Sequence, residues 1–221
     1  MLTLYGHWRS LATYRVRVAL NLKQIACEFV PIDLLGKAHR GEDYKRINPQ
    51  RLLPALVDGS RPILFQSLAI IDYLDEIKPE PPLYPTRDPH ARARLKALAL
   101  VVAADAHPLI VPRVRDYLQK DLGHDVAALR KWIETFGTEA LDTIEAYLES
   151  DPHAGKFCYA DTPSAADILV ASHVIGMELL GFGLERYPRT KAVYENCAAL
   201  EAFKTAHPLL QPGADKALLK P

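Results

Sequence analysis

Cysteine is scarce in this 221-residue chain: Cys27, Cys158 and Cys197 lie far apart, and no C-x-x-C pair occurs. That spacing offers neither a zinc site nor a dithiol redox centre, so the three read as small apolar residues in packed elements. Any thiol chemistry then has to use a sulfur from another molecule. Net charge is lacking too. With 27 basic and 27 acidic side chains, the chain has no basic footprint for nucleic acid. No uninterrupted apolar run approaches the roughly eighteen residues of a spanning helix. The nearest candidate, "ILVASHVIGMELLGFGL", carries His173 and Glu178 and reads as a buried helix. Polar residues arrive by His7 and Arg9, which argues against a leader segment. The histidines show no clustered ligand spacing, so no metal is expected. A cytoplasmic protein without membrane or nucleic-acid partners is the expectation.

Nearly half the residues are hydrophobic, and the length suits two domains. The strongest punctuation is "KPEPPLYPTRDP", residues 78–89, with five prolines in twelve positions. Proline at that density ends helices and ladders and marks a linker. Before it, strand-like and helical runs alternate: "LTLY", an amphipathic helix from about Leu11 to Lys23, "CEFVPIDL", a polar stretch with Tyr44, "LPALVD", a Gly-Ser turn, "PILFQ", and a helix from about Ser67 to Ile77. The order is β-α-β-α-β-β-α. After it, helical periodicity runs to the end. The expected architecture is an α/β domain over 1–79, a proline-rich linker over 80–87 and an all-α domain over 88–221. Within the latter, Ser164-Ala-Ala-Asp167 forms a capping box, flanked by Pro163 and Ile168 as a hydrophobic staple.

Ser10 stands directly before the first helix, where a hydroxyl is a natural N-cap. Ser67 stands in the corresponding place at the helix that follows "PILFQ". Leu53-Pro54 precedes a strand. His39 and Gln66 read from the residues alone as surface loop side chains.

Taken together, "WRSLATYRVRVALNLK", "INPQRLLPALVDG", "FQSLAIIDYLDE", "AHPLIVPRV" and "YADTPSAADILV" resemble the glutathione transferase family. The resemblance covers essentially the whole chain. The finer wording is similar to the zeta class, which includes maleylacetoacetate and maleylpyruvate isomerases. It implies a thioredoxin-like N-terminal domain with an all-α C-terminal domain, glutathione as cofactor, a small-molecule substrate and a homodimer.

By the same resemblance, Ser10 is the hydroxyl that meets the glutathione sulfur, with Thr13 as a reserve. A free thiol of pKa about 8.5 is only slightly ionised at neutral pH. A hydroxyl donating to the sulfur anion contributes about 1.5–3 kcal/mol, and a helix N-terminus about 0.3–2 kcal/mol more. At about 1.36 kcal/mol per unit, the sum lowers the pKa by roughly one to three units before desolvation is subtracted. Leu53-Pro54 is expected to be cis and to present the backbone of Leu53 to the cysteinyl unit. Gln66 and Ser67 would hold the γ-glutamyl end, and His39 the glycine carboxylate. Asp105 would meet the glutathione amine, with His107 nearby. Arg9 and Arg113 would clamp substrate carboxylates, with His107 and Arg113 facing the cleft.

The chain also departs from the family's pattern. Ala12 stands where many members carry a cysteine, and Leu11 where they carry a second serine. Ile110-Val111 replaces a polar pair. Glu178, Leu179 and Leu180 stand where isomerases often have an arginine. These apolar positions keep a second reading open, a transferase that conjugates glutathione to apolar electrophiles. A non-catalytic glutathione-binding scaffold is the third.

Overall fold

The computed structural model describes residues 1–34 and 36–215. The chain forms two compact units, Met1–Leu83 together with the segment from Ala198 onward, and Tyr84–Cys197.

The first unit is built on a four-stranded sheet of order β2-β1-β3-β4. Strand β1 (Leu2–Gly6) pairs in parallel with β2 (Cys27–Pro31) and antiparallel with β3 (Ala55–Asp58), which pairs with β4 (Leu64–Phe65). Helix α1 (Leu11–Leu22) makes the crossover between the parallel strands, α2 (Glu42–Ile47) follows β2, and α3 (Ser67–Ile77) follows β4 and packs on α1. The expected β-α-β-α-β-β-α order is observed.

Helix α1 corrects the expectation of a half-solvated amphipathic helix. Every residue from Thr13 to Leu20 is buried, including Arg15 and Arg17. Each cation is bonded inside the unit. Arg15 Nη1 donates to Ser67 Oγ at 3.3 Å. Arg17 donates to the Ala206 carbonyl from Nε at 3.1 Å and from Nη2 at 2.9 Å. Ala206 ends α10 (Glu201–Ala206), where a guanidinium meets the negative end of the helix. Burial draws Arg15 down to about 9 and Arg17 to about 10, so both remain charged at neutral pH.

The tie between Arg17 and α10 also shows why the expected 88–221 domain does not match the compact units. The segment from Ala198 belongs with the sheet, because α10 packs on α1. Lys23, at the end of α1, is fully buried. It pairs with Asp75 of α3 and donates to the carbonyls of Lys78 (2.8 Å), Pro79 (3.2 Å) and Pro81 (2.5 Å). Asp75 in turn accepts from the Leu83 N–H at 2.9 Å. One ammonium thus supplies the hydrogen bonds that the prolines of the linker cannot donate.

The second unit is helical: α4 (Pro89–Leu100), a π-helical segment (Val101–Ala106), α5 (His107–Ile110), α6 (Pro112–Lys120), α7 (Val126–Ser150), α8 (Ala165–Leu179) and α9 (Pro188–Ala199). By length and composition the run Pro89–Lys120 is long and apolar enough to cross a membrane, although charged residues interrupt its apolar stretches. Here it packs against α7 and α8 and is interrupted at Val111.

The capping box is observed. Asp167 accepts from the Ser164 N–H (2.7 Å) and hydroxyl (2.6 Å), and its other oxygen accepts from the Cys158 N–H at 2.7 Å. Helix α9 is started by a residue distant in sequence. Glu145 of α7 accepts from the N–H groups of Arg189 and Thr190, each at 2.8 Å, and from the Thr190 hydroxyl.

Replacing Lys23 strands a buried carboxylate and several carbonyls. Lys23→Met is expected to lower unfolding free energy by about 3–5 kcal/mol in urea titrations. A loss below about 1 kcal/mol would contradict the buried, bonded ammonium.

Candidate active site

The strand register gathers the sequence-predicted residues of the first unit at one end of the sheet. Tyr5 lies opposite Ala55, and Ala55 opposite Phe65. Continuing each ladder by one or two residues brings the turn 7–10, the Leu53-Pro54 segment and the Gln66-Ser67 segment side by side. On the other edge the Ile32 N–H donates to the Gly6 carbonyl at 2.7 Å, which brings in the segment carrying Asp33 and His39.

Ser10 is the N-cap of α1. Its Oγ accepts from the Thr13 N–H at 3.2 Å, and its own N–H donates to the His7 carbonyl at 3.1 Å. Accepting that bond leaves the hydroxyl proton for another acceptor. Leu11 and Ala12 are half-buried and Arg9 is exposed. The first N–H groups of α1 have no intrahelical partner by construction, and with the helix dipole they favour an anion.

Thr13 corrects an expectation. Its side chain is fully buried against Gly6, where an added Cβ would lie 2.3 Å from Thr13 Cγ2. The hydroxyl faces the strand, and only the backbone N–H of Thr13 serves Ser10. Gly6, which the sequence reading passed over, is what allows α1 to approach β1 this closely.

Leu53-Pro54 is cis, as expected. The carbonyl of Leu52 just before it is fixed by the Tyr44 hydroxyl and Asn48 Nδ2, each at 2.9 Å. Tyr44 and Asn48 are both buried. Burial raises the Tyr44 phenol to about 12, so it serves as a neutral donor.

Gln66, not Ser67, is the N-cap of α3. It holds φ 69° and ψ 115°, a strained conformation for a residue with a side chain, and it is exposed. Ser67 is the first helical residue and is buried, its Oγ accepting from Arg15.

His39 sits in a 3₁₀ turn (Ala38–Arg40) and is 8% exposed. Its Nδ1 is buried without a hydrogen-bond partner among the described residues. Desolvation lowers its pKa, helped by Arg40 and Lys37 and opposed by Asp33. One imidazole nitrogen of His39 is thus left without the hydrogen bond that a buried polar atom ordinarily makes.

Asp105, His107 and Arg113 all lie in the second unit. Asp105 and Arg113 are exposed and His107 is half-buried. Asp105 falls in the π-helical segment, where the His107 N–H reaches the Val102 carbonyl. Val111 is extended (φ −69°, ψ 156°), so His107 and Arg113 lie on two helices rather than one. That break frees the Leu109 carbonyl, which accepts from the Trp132 indole at 2.9 Å instead. Elsewhere in this unit a cavity is lined by Glu178, Leu184, Glu185, Lys191, Tyr194 and Glu195. Three carboxylates disfavour a carboxylate substrate there, and none of the expected site residues lines it.

The chain's own thiols are unsuited to nucleophilic work. Burial raises Cys27 to about 11 and lifts Cys158 and Cys197 well above the usual range. Among the described residues no group of three or more His, Cys, Asp or Glu side chains is placed to hold a metal ion.

Comparison with known proteins points the same way. Residues 4–82 match the model of the glutathione S-transferase N-terminal domain, and residues 138–196 that of its C-terminal domain. Maleylpyruvate isomerase from a Ralstonia species is 39% identical over 95% of this chain and 98% of its own. A solved holo structure of a maleylpyruvate isomerase, described as a bacterial zeta-class glutathione S-transferase, superposes with a TM-score of 0.92 at 38% identity. It covers 96% of this chain and 100% of that one. Maleylacetoacetate isomerase from Methylobacterium extorquens AM1, solved with malonate and glutathione bound, gives 0.93 at 44% identity, covering 96% and 99%.

Two outcomes test this geometry. Thr13→Val removes a buried hydroxyl without a hydrogen-bond partner among the described residues. It is expected to keep turnover within about twofold and to raise stability by about 1 kcal/mol in thermal or urea unfolding. The second concerns pH. His7, His39 and His207, all of the first unit, are held below their ordinary pKa by burial. The unfolded chain therefore takes up these protons first, at pH near 6.5. Stability is expected to be full above that pH and to fall as pH drops from about 7 to about 5. A Tm that stays level or rises over that window would contradict the buried neutral histidines.

Proposed function

Because the chain belongs to the glutathione S-transferase family, we propose that it is a glutathione-dependent cis–trans isomerase of a maleyl-substituted keto acid, maleylacetoacetate or maleylpyruvate. The observation that carries the reading is Ser10 at the open N-terminus of α1 with Arg9 exposed beside it. A relative at 44% identity that binds both glutathione and a small dicarboxylate supports it. The Ser10 hydroxyl and the first N–H groups of α1 hold the glutathione sulfur as an anion. Leu53 offers its backbone to the cysteinyl unit, the Gln66-Ser67 turn receives the γ-glutamyl end, and His39 faces the glycine carboxylate.

When bound, glutathione supplies the nucleophilic sulfur that lends the cis double bond single-bond character and then departs unconsumed. The chain contributes charge and orientation. Arg9 binds a carboxylate bidentately and offsets negative charge that develops on the substrate, and the capped helix fixes the attack direction. A cytoplasmic homodimer is part of the same reading.

The deciding measurement is turnover of maleylpyruvate and maleylacetoacetate with catalytic glutathione. Conversion to the trans acid with the thiol pool unchanged is expected. Ser10→Ala and Arg9→Ala should each lower kcat/KM by about 10- to 100-fold, the scale of one charge-assisted hydrogen bond. Stoichiometric loss of thiol would establish a conjugating transferase instead. Tight glutathione binding without thiolate absorbance at neutral pH would establish the scaffold. Unchanged turnover in Arg9→Ala would remove that residue from the carboxylate clamp.

A further inference from the structure

We infer that His7 is a positioning residue for the Arg9-Ser10 turn, and that it does this work only as the neutral imidazole protonated on Nε2. The inference rests on the glutathione reading of Ser10 and Arg9 but uses a side chain that reading leaves idle. Besides the bonds from Thr13 and Tyr14 that cap α1 at Ser10, three hydrogen bonds among the described residues fasten the turn between β1 and α1. The Ser10 N–H donates to the His7 carbonyl at 3.1 Å. The Trp8 carbonyl accepts from Arg17 Nη2 at 3.4 Å. The Arg9 N–H donates to His7 Nδ1 at 3.2 Å. The third is the local bond that an asparagine side chain makes to the backbone two residues on, here made by an imidazole.

Only the ring contact can be switched off near neutral pH, because a ring nitrogen accepts only while it carries no proton. The surroundings oppose protonation. His7 is 7% exposed, and its ring lies 5.4 Å from that of Trp8. Burial is the main force holding it neutral. Arg9 on its own turn, Arg17 from α1 and His39 from the 3₁₀ turn add to it, and Asp33 after β2 opposes them. If Nδ1 gains a proton, two N–H groups face each other and a further positive charge joins Arg9 and Arg17. The turn then loses the bond that holds the Arg9 backbone, and with it the aim of the Arg9 guanidinium beside Ser10.

The test separates this group from the titrating sulfur by using S-methylglutathione, which has no thiol proton. Its affinity is measured by calorimetry from about pH 8 to about pH 5.5 for the wild-type protein and for His7→Asn, whose amide oxygen accepts the same bond but does not titrate. Wild-type affinity is expected to fall about fivefold across that range, the scale of one lost hydrogen bond, and the fall should shrink in His7→Asn. Both proteins keep His39, so the difference between the curves belongs to His7. In the ligand-free protein, nitrogen NMR is expected to show His7 neutral at pH 7 with its proton on Nε2. His7→Leu, which fills the space without an acceptor, should weaken binding at every pH. Identical pH curves for wild type and His7→Asn, or an Nδ1-protonated ring, would overturn the inference. Absence of probe binding at all pH values would instead overturn the glutathione reading, and the tautomer would still decide the role of His7.

Discussion

Helix α1 carries three buried cations, and each is bonded to a different part of the first unit. Arg15 reaches the start of α3, Arg17 reaches α10 and the carbonyl of Trp8, and Lys23 reaches α3 and the proline-rich linker. A helix held only by apolar packing can slide or rotate by small amounts at little cost. One whose buried charges each need a particular oxygen cannot, because any shift strands a cation away from water. The open N-terminus of α1 therefore has a fixed direction. Gly6 completes the constraint by allowing Thr13 to lie directly on β1. The capped end, Ser10, inherits its position from contacts made one to three turns further along the helix.

How much of this was legible depended on whether the determinant was local. Ser10 as an N-cap, the Ser164–Asp167 box and the β-α-β-α-β-β-α order were readable, since each rests on neighbours within a few residues. The cis bond at Leu53-Pro54 was anticipated from the resemblance, not from composition. What escaped was long-range. Nothing local distinguishes Arg15 or Lys23 from solvated helix cations; their partners lie 52 residues away at Ser67 and Asp75. Glu145 capping α9 across 44 residues is of the same kind. Residue type alone offers the Thr13 hydroxyl to the site; the contact of its helix face with Gly6, which buries it, is tertiary. Residue type favours Ser67 as the cap of α3, and the strained backbone that moves the cap to Gln66 leaves no mark in the residue types.

The second unit is shaped by its prolines. Its π-helical segment and the extended Val111 trace to Pro108 and Pro112, which withhold N–H groups from the preceding turns. The effect is to expose Asp105 and Arg113 on a chain that a regular helix would have rotated differently. Ile110, which replaces a polar family residue, is buried, so its apolar character satisfies packing. Its side chain faces the core of the unit rather than a substrate. Glu178 and Leu179 at the end of α8 are exposed, and Glu178 lines a cavity with Glu185 and Glu195. A maleyl dianion would be repelled there.

An enzyme that borrows its nucleophile has simpler demands to meet than one that makes its own. A cysteine at a helix N-terminus must be kept from oxidation and from ionising at the wrong time. Here Ala12 stands at that position, and the chain's three thiols are pushed upward in pKa by burial or desolvation. On the proposed reading the protein then needs only donors that are fixed in place: a hydroxyl, the first amides of a helix, and a guanidinium. None of these changes charge near neutral pH. The one group in the turn that does is His7, and its ring is used as an acceptor toward backbone rather than toward substrate. On the proposed reading, a site assembled from permanent donors around a removable sulfur takes its pH sensitivity from that sulfur and from the groups that hold the donors, which is why the turn between β1 and α1 matters as much as the residues it presents.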